Sequence, residues 1–227
     1  MDCGFAERIR IFRDEVDVYP VLSPEFCAGR ALEDVAKAVL DGGAKIIQLR
    51  LKNAPEKEVA ETARRLLAHT VAAGALLIVN DHLDVALDVG ADGVHLGLSD
   101  TPLSSAAAAA PGLIIGGSSH SLAEALSAEA AGASYVNIGP LFATATKAVP
   151  VPPLGVDAIG SIGSELRIPF TVMGGIKRRH IPGLVAAGAD RIAMVTEITQ
   201  ADDIAERIRV IRGIIADAKR VRGNSAR

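Results

Sequence analysis

The sequence predicts an α/β fold, a single (β/α)8 TIM barrel, and three observations point there. Eight apolar runs of strand length alternate with longer segments of helical period. The runs are apolar throughout, as strands are when both faces are covered or the sheet closes on itself. Gly-Ala recurs at Gly43-Ala44, Gly90-Ala91, Gly132-Ala133 and Gly188-Ala189, each pair ending a helix and launching a strand. The glycine suits the left-handed residue that closes a helix. Each interval between these pairs holds about two βα units, and four double units make eight strands. A doubly wound open sheet is the alternative. It usually carries a glycine fingerprint after its first strand, where this chain has Leu22-Ser23-Pro24.

Residues 1–16 precede the barrel and carry Asp2, Glu7, Arg8, Arg10, Arg13 and Asp14. They lack the apolar stretch of a signal peptide and read as a helical N-terminal extension capping one end of the barrel. The strands fall at 17–22, 44–49, 75–79, 92–96, 112–116, 134–138, 168–172 and 190–195. Helical period is clearest at 32–40, 56–72, 122–131 and 204–218, where apolar residues recur at three and four with charges opposite. The alanine run 106–110 ends at Pro111 as a helix tail. The barrel is expected over 17–219, with 220–227 a C-terminal tail and no linker or second domain.

Composition removes several function classes. In 227 residues the net charge is −3, so no basic face is available for nucleic acid or an anionic membrane. Two Tyr, five Phe and no Trp cannot build a stacking platform for bases. Cys3 and Cys27 are too few for a disulfide framework or a zinc site and read as idle thiols of a reducing cytosol. No run approaches the ~18 apolar residues of a membrane span. The expectation is a cytoplasmic protein of small-molecule partners, open to homo-oligomer formation.

In such a barrel the active site lies at the C-terminal strand ends. After the second strand, alternation puts Gln48, Arg50 and Lys52 on one side, a set suited to a phosphorylated ligand with a hydrogen-bonding base. Asn80-Asp81-His82 follows the third strand, and Gly97-Leu98-Ser99-Asp100 the fourth. Two carboxylates beside two cations suit Mg2+, although each aspartate taken alone reads more readily as a helix N-cap, and only the pairing with the cations raises the metal reading. Gly116-Gly117-Ser118-Ser119-His120 follows the fifth strand, with Ser118 or Ser121 able to cap a helix and His120 able to move a proton. After the sixth comes Gly139-Pro140-Leu141-Phe142-Ala143-Thr144-Ala145-Thr146-Lys147, a loop long enough to act as a phosphate-gripping lid. Gly174-Gly175-Ile176 follows the seventh strand, and Thr196-Glu197 the eighth, where barrels usually hold a phosphate. No Ser-His-Asp arrangement and no barrel lysine placed for a Schiff base is legible.

The motifs Gln48-Leu49-Arg50-Leu51-Lys52, Asn80-Asp81, Gly93-Val94-His95-Leu96-Gly97 with Asp100, the loop 139–147 and Gly174-Gly175-Ile176 resemble the thiamine phosphate synthase family, in that family's order. The resemblance covers about residues 17–212. It implies joining of hydroxymethylpyrimidine pyrophosphate to hydroxyethylthiazole phosphate, with Mg2+ and release of pyrophosphate. By the same resemblance Arg50, Lys52, Asn80 and Lys147 grip the pyrophosphate, Asp81 and Asp100 bind Mg2+, Gln48 contacts the pyrimidine and Ser118 sits beside the leaving group. Thr144, Thr146, Gly175, Val195 and Thr196 would hold the thiazole phosphate. Three positions depart from the family pattern: Leu98 for Gln, Thr196 for Ser and Glu197 for Ala. A carboxylate at 197 would repel a phosphate unless it points away. The stretch Ser118–Ala125 also resembles the paralogous thiazole tautomerase, which uses a histidine at the place of His120. That activity, or a barrel that binds thiamine precursors without turnover, is the alternative.

Overall fold

A computed structural model describes residues 4–144, 146 and 151–225. Eight parallel strands close in sequence order: β1 (Val18–Leu22), β2 (Ile46–Leu49), β3 (Leu76–Asn80), β4 (Gly93–Leu96), β5 (Ile114–Ser119), β6 (Tyr135–Ile138), β7 (Phe170–Val172) and β8 (Ile192–Met194). The seam is the pairing of Val18 with Ile192. Outside the barrel lie α2 (Leu32–Asp41), α3 (Glu56–Ala73), α4 (Leu83–Val89), α5 (Leu103–Ala109), α6 (Leu122–Ala130), α7 (Asp157–Gly163), α8 (Ile181–Ala186) and α10 (Ile204–Ser225), with α1 (Phe5–Asp14) before β1 and the short α9 (Thr196–Thr199) after β8. All four Gly-Ala junctions turn as their sequence requires, with φ of 92° at Gly43, 69° at Gly90, 90° at Gly132 and 113° at Gly188.

Strand alternation divides the apolar residues into two cores. One lies between sheet and helices and contains Val18, Leu22, Ile47, Leu77 and Val94. The other fills the barrel with Tyr19, Val21, Ile46, Leu76, Ile78, Ile114 and Tyr135. Helix α1 closes this inner core from the end where the strands begin: Phe12 is fully buried, its ring centroid 4.6 Å from that of Tyr135. Arg191 fixes the plug by donating to the Phe12 carbonyl at 2.9 Å. Arg8 reaches Asp92 at 3.0 Å. The opposite end, where the strands finish, stays open to a pocket.

Strand ends shift by a residue or two throughout, and two boundaries differ in a way that bears on the site or the barrel. Strand β5 continues through Ser119, so Gly116–Ser119 is sheet rather than loop. The glycines belong there for packing: a Cβ on Gly116 would sit 2.2 Å from Tyr135 Cζ, and one on Gly117 2.9 Å from Leu103 Cδ1. Helix α10 runs past residue 219 to Ser225. Arg222 ties that last turn to the barrel, donating to Val185 O at 2.9 Å and to Asp190 at 2.6 Å. No helix among the described residues is long and apolar enough to cross a membrane.

Candidate active site

Strand ends β2 to β4 carry the charged side of the pocket. Gln48, Arg50 and Lys52 all face it, as alternation requires. Arg50 is held by its backbone N–H on Leu22 O at 2.9 Å and by its guanidinium on Glu25 at 3.4 Å. Lys52 Nζ lies 2.7 Å from Asp81 Oδ2. Asp81 adopts φ of 68°, a left-handed conformation that aspartate tolerates better than most residues. Its N–H is anchored on His95 O at 2.8 Å. Asp100 accepts from the Gly97 N–H at 2.7 Å. Neither aspartate caps a helix: α4 begins after His82 and α5 after Pro102, without a side-chain cap.

The two carboxyl groups are near enough for each to shift the other's proton affinity. Burial raises Asp100, and neighbouring Asp81 raises it further. Burial also pushes Asp81 up, but Lys52, Asp100 and Arg50 outweigh it and hold the carboxyl below its usual range. A proton or a cation between them relieves the repulsion of such a pair.

The side built by β6 to β8 has few charges and much backbone. Loop 139–144 packs directly on loop 173–175, with Leu141 N on Met173 O at 2.9 Å and Phe142 N on Gly174 O at 3.0 Å. A Cβ on Gly175 would lie 2.3 Å from Ala143 O, and its φ is 61°. Thr144, Thr146, Gly175, Val195 and Thr196 line the pocket here. Glu197 does not face it unpaired: its carboxylate meets Arg207 at 2.7 Å and Lys177 at 3.7 Å. Leu98 is mostly exposed.

The pocket floor is polar and hydrogen-bonded. Gln48 Nε2 donates to Tyr19 OH at 3.0 Å, and Tyr19 OH is 2.9 Å from Tyr135 OH. Tyr135 OH is 2.9 Å from His95 Nδ1, whose Nε2 lies 3.0 Å from Ser118 Oγ. Beside this chain, Asn137 Oδ1 and Thr171 Oγ1 are buried without a partner among the described residues. Buried polar atoms in that condition suit a ligand's complementary groups. His120 also faces the pocket, its Nδ1 3.0 Å from Glu124. Ser121, not Ser118, caps α6.

Eleven of the thirteen residues singled out from the sequence therefore line one pocket. Asp100 stands beside it through Asp81 and Gly97. Lys147 lies outside the described residues.

The family model for thiamine monophosphate synthase matches residues 18–198, which include every strand of the barrel. The chain belongs to that family. It is 39% identical over 203 residues to the thiamine-phosphate synthase of Pelotomaculum thermopropionicum, covering 89% of this chain and 93% of that one. To the thiamine-phosphate synthase of Shouchella clausii it is 43% identical over 188 residues, 82% and 90% of the two chains. The thiamine phosphate pyrophosphorylase from Pyrococcus furiosus superposes with a TM-score of 0.85 at 34% identity, over 92% of this chain and 99% of that structure. Within this barrel, sequence reasoning missed Tyr19, Tyr135, Asn137 and Thr171. Their signal is a polar or phenolic residue on the inward phase of an otherwise apolar strand, and reading it requires the register.

Proposed function

We propose that this chain joins hydroxymethylpyrimidine pyrophosphate to hydroxyethylthiazole phosphate, forming thiamine phosphate and releasing pyrophosphate. One observation carries the reading. A single pocket has a cationic end with a carboxylate pair and, across a polar floor, a second end of glycines and hydroxyls. Two anionic substrates meeting head to head need that shape.

The pyrophosphate leaves with the bonding electrons, and the pyrimidine-stabilised cation is captured by the thiazole nitrogen. Catalysis is therefore neutralisation of leaving-group charge plus placement of the nucleophile. Arg50, Lys52 and Asn80 bind the pyrophosphate, joined by Lys147. Asp81 and Asp100 fit Mg2+, which takes one or two carboxylates, waters and phosphate oxygens. Bound there, Mg2+ supplies further charge neutralisation on the departing group. Gln48 orients the pyrimidine, and Ser118 stands by the leaving group. Thr144, Thr146, Gly175, Val195 and Thr196 hold the thiazole phosphate. No residue needs to act as a general base.

The test is an end-point assay of thiamine phosphate and pyrophosphate from the two substrates, with and without EDTA. Equimolar products that vanish in EDTA and return with excess Mg2+ are expected. Proton exchange into a thiazole carboxylate phosphate without pyrophosphate release would instead assign the paralogous tautomerase chemistry. Binding of both precursors with no turnover would make the barrel a carrier.

A further inference from the structure

We infer that the hydrogen-bonded chain Gln48–Tyr19–Tyr135–His95–Ser118 is a directional positioning device, which fixes His95 as its Nε2–H tautomer and aims the Ser118 hydroxyl proton at the leaving group. The roles at the two ends rest on the function proposed above. The direction rests on the chain itself.

The amide nitrogen of Gln48 can only donate, so Tyr19 oxygen accepts from it at 3.0 Å. The buried Tyr19 proton then has one acceptor in reach among the described residues, Tyr135 oxygen at 2.9 Å, and donating there leaves the Tyr135 proton for His95 Nδ1 at 2.9 Å. A neutral imidazole that accepts at Nδ1 must carry its proton on Nε2. That nitrogen donates to Ser118 Oγ at 3.0 Å, leaving the serine proton for the pocket. Burial keeps both phenols protonated, raising Tyr19 and Tyr135 above their ordinary range.

The direction also makes chemical sense at each end. With its nitrogen used, Gln48 keeps its carbonyl oxygen, an acceptor with no partner among the described residues, for a donor such as an exocyclic amine. Ser118 presents a donor to an anion. Reversal would exchange these, turning serine lone pairs toward the pyrophosphate, which is unfavourable. The chain spans four strands, β1, β2, β4 and β6, before reaching β5, so it is built into the barrel rather than into a loop. Gly116 makes room for it, because any side chain there would occupy the Tyr135 ring. Tyr19, Tyr135 and His95 are thus positioning residues that act through Ser118.

Two measurements decide it. Long-range proton–nitrogen NMR correlations of His95 in the substrate-free protein at pH 8.5 should show protonated Nε2 and bare Nδ1. In Tyr135→Phe the preference should shift toward a mixture. Protonated Nδ1 in the wild type overturns the proposal, whatever the enzyme catalyses, so this result is separable from failure of the proposed reaction. In turnover, Ser118→Ala should lower kcat ~100-fold, as loss of one oriented donor does, and Tyr135→Phe ~10-fold through misorientation, with KM little changed. The double variant should be no slower than Ser118→Ala alone. Tyr19→Phe, which preserves the ring packing, is the second probe should Tyr135→Phe fold poorly. Independent, multiplicative losses in the double variants would show that the tyrosines act by packing alone, and the positioning role would be wrong.

Discussion

The two ends of the pocket hold anions by different means. At the ends of β2 to β4 the work falls to side chains: Arg50, Lys52, Asp81 and Asp100 gather their charges there. At the ends of β6 to β8 it falls to the course of the chain, with Gly174 and Gly175 at positive φ and two loops locked by backbone hydrogen bonds. The proposed chemistry accounts for the division. Pyrophosphate gains charge as its bond breaks, so groups that grip it accelerate the step. The thiazole phosphate keeps its charge throughout and needs only to be held. Side-chain changes at the first end should therefore strike kcat, and backbone changes at the second should strike KM.

The largest effect is expected from Asp81→Asn and Asp100→Asn, each lowering kcat ~100- to 1,000-fold by removing a carboxylate from the proposed Mg2+ site. Asparagine tolerates the left-handed conformation of residue 81 and can still accept from the Gly97 N–H at residue 100, so the thermal midpoint should move little. If both variants turn over normally at millimolar Mg2+, the carboxylate pair is not a metal site.

Gly175→Ala probes the other end. It places a Cβ 2.3 Å from Ala143 O at a φ of 61°, so either loop must shift. The left-handed strain alone costs ~1 kcal/mol. KM for the thiazole phosphate should rise ~10- to 30-fold with kcat at saturation within threefold, a loss of uniform binding. A loss confined to kcat would show that the second end also takes part in the chemistry.

The same division governs what the sequence shows. Gln48, Arg50 and Lys52 are legible because three polar residues on one phase, at and just beyond the end of an apolar strand, stand where a barrel places its site. Asp81 and Asp100 are legible as a pair because they follow neighbouring strands. Tyr19, Tyr135, Asn137 and Thr171 lie inside strands, where a phenol or hydroxyl reads as ordinary core until the barrel register brings it over the pocket floor. The Gly-Gly pairs mislead in a particular way. Gly116-Gly117 looks like a loop, yet it is strand because neighbouring side chains fill the space above it. The charged residues beyond 219 look like a solvated tail, yet Arg222 reaches Asp190, as Lys219 does just before it, and keeps α10 on the barrel. Long-range ion pairs of that kind leave no local pattern.

A smaller effect is expected at His120, where the two paralogous activities separate. A tautomerase needs a group that takes and returns a proton, and loss of titration there would stop it. In this structure His120 Nδ1 is 3.0 Å from Glu124 one helical turn ahead, and Glu124 also accepts the His120 backbone N–H at 2.6 Å. That arrangement orders the start of α6. His120→Gln should keep thiamine phosphate formation within about tenfold, ~1.4 kcal/mol of barrier. Should it fall further than Lys147→Ala in the same assay, His120 is an acid or base and the cationic mechanism is wrong.

The smallest effect is expected at Glu197, the residue whose charge is least expected beside a phosphate. Its carboxylate lies between Arg207 at 2.7 Å and Lys177 at 3.7 Å, and it is largely buried. The three groups together carry one net positive charge. Lys177 also reaches Thr196 Oγ1 at 3.5 Å, so this cluster borders the proposed phosphate end. Glu197→Gln raises the local charge by one while keeping an oxygen for Arg207, which is also anchored on the Glu197 carbonyl at 3.0 Å. The stability cost should stay near ~1 kcal/mol, that of one weakened charge-assisted hydrogen bond. KM for the thiazole phosphate should fall two- to threefold at low ionic strength, about the size of a half-screened surface charge, and return toward the wild-type value in ~0.5 M salt. A salt-insensitive rise in KM would mean the opposite: Glu197 holds Lys177 where the phosphate needs it, and the second end of the pocket depends on a side chain after all.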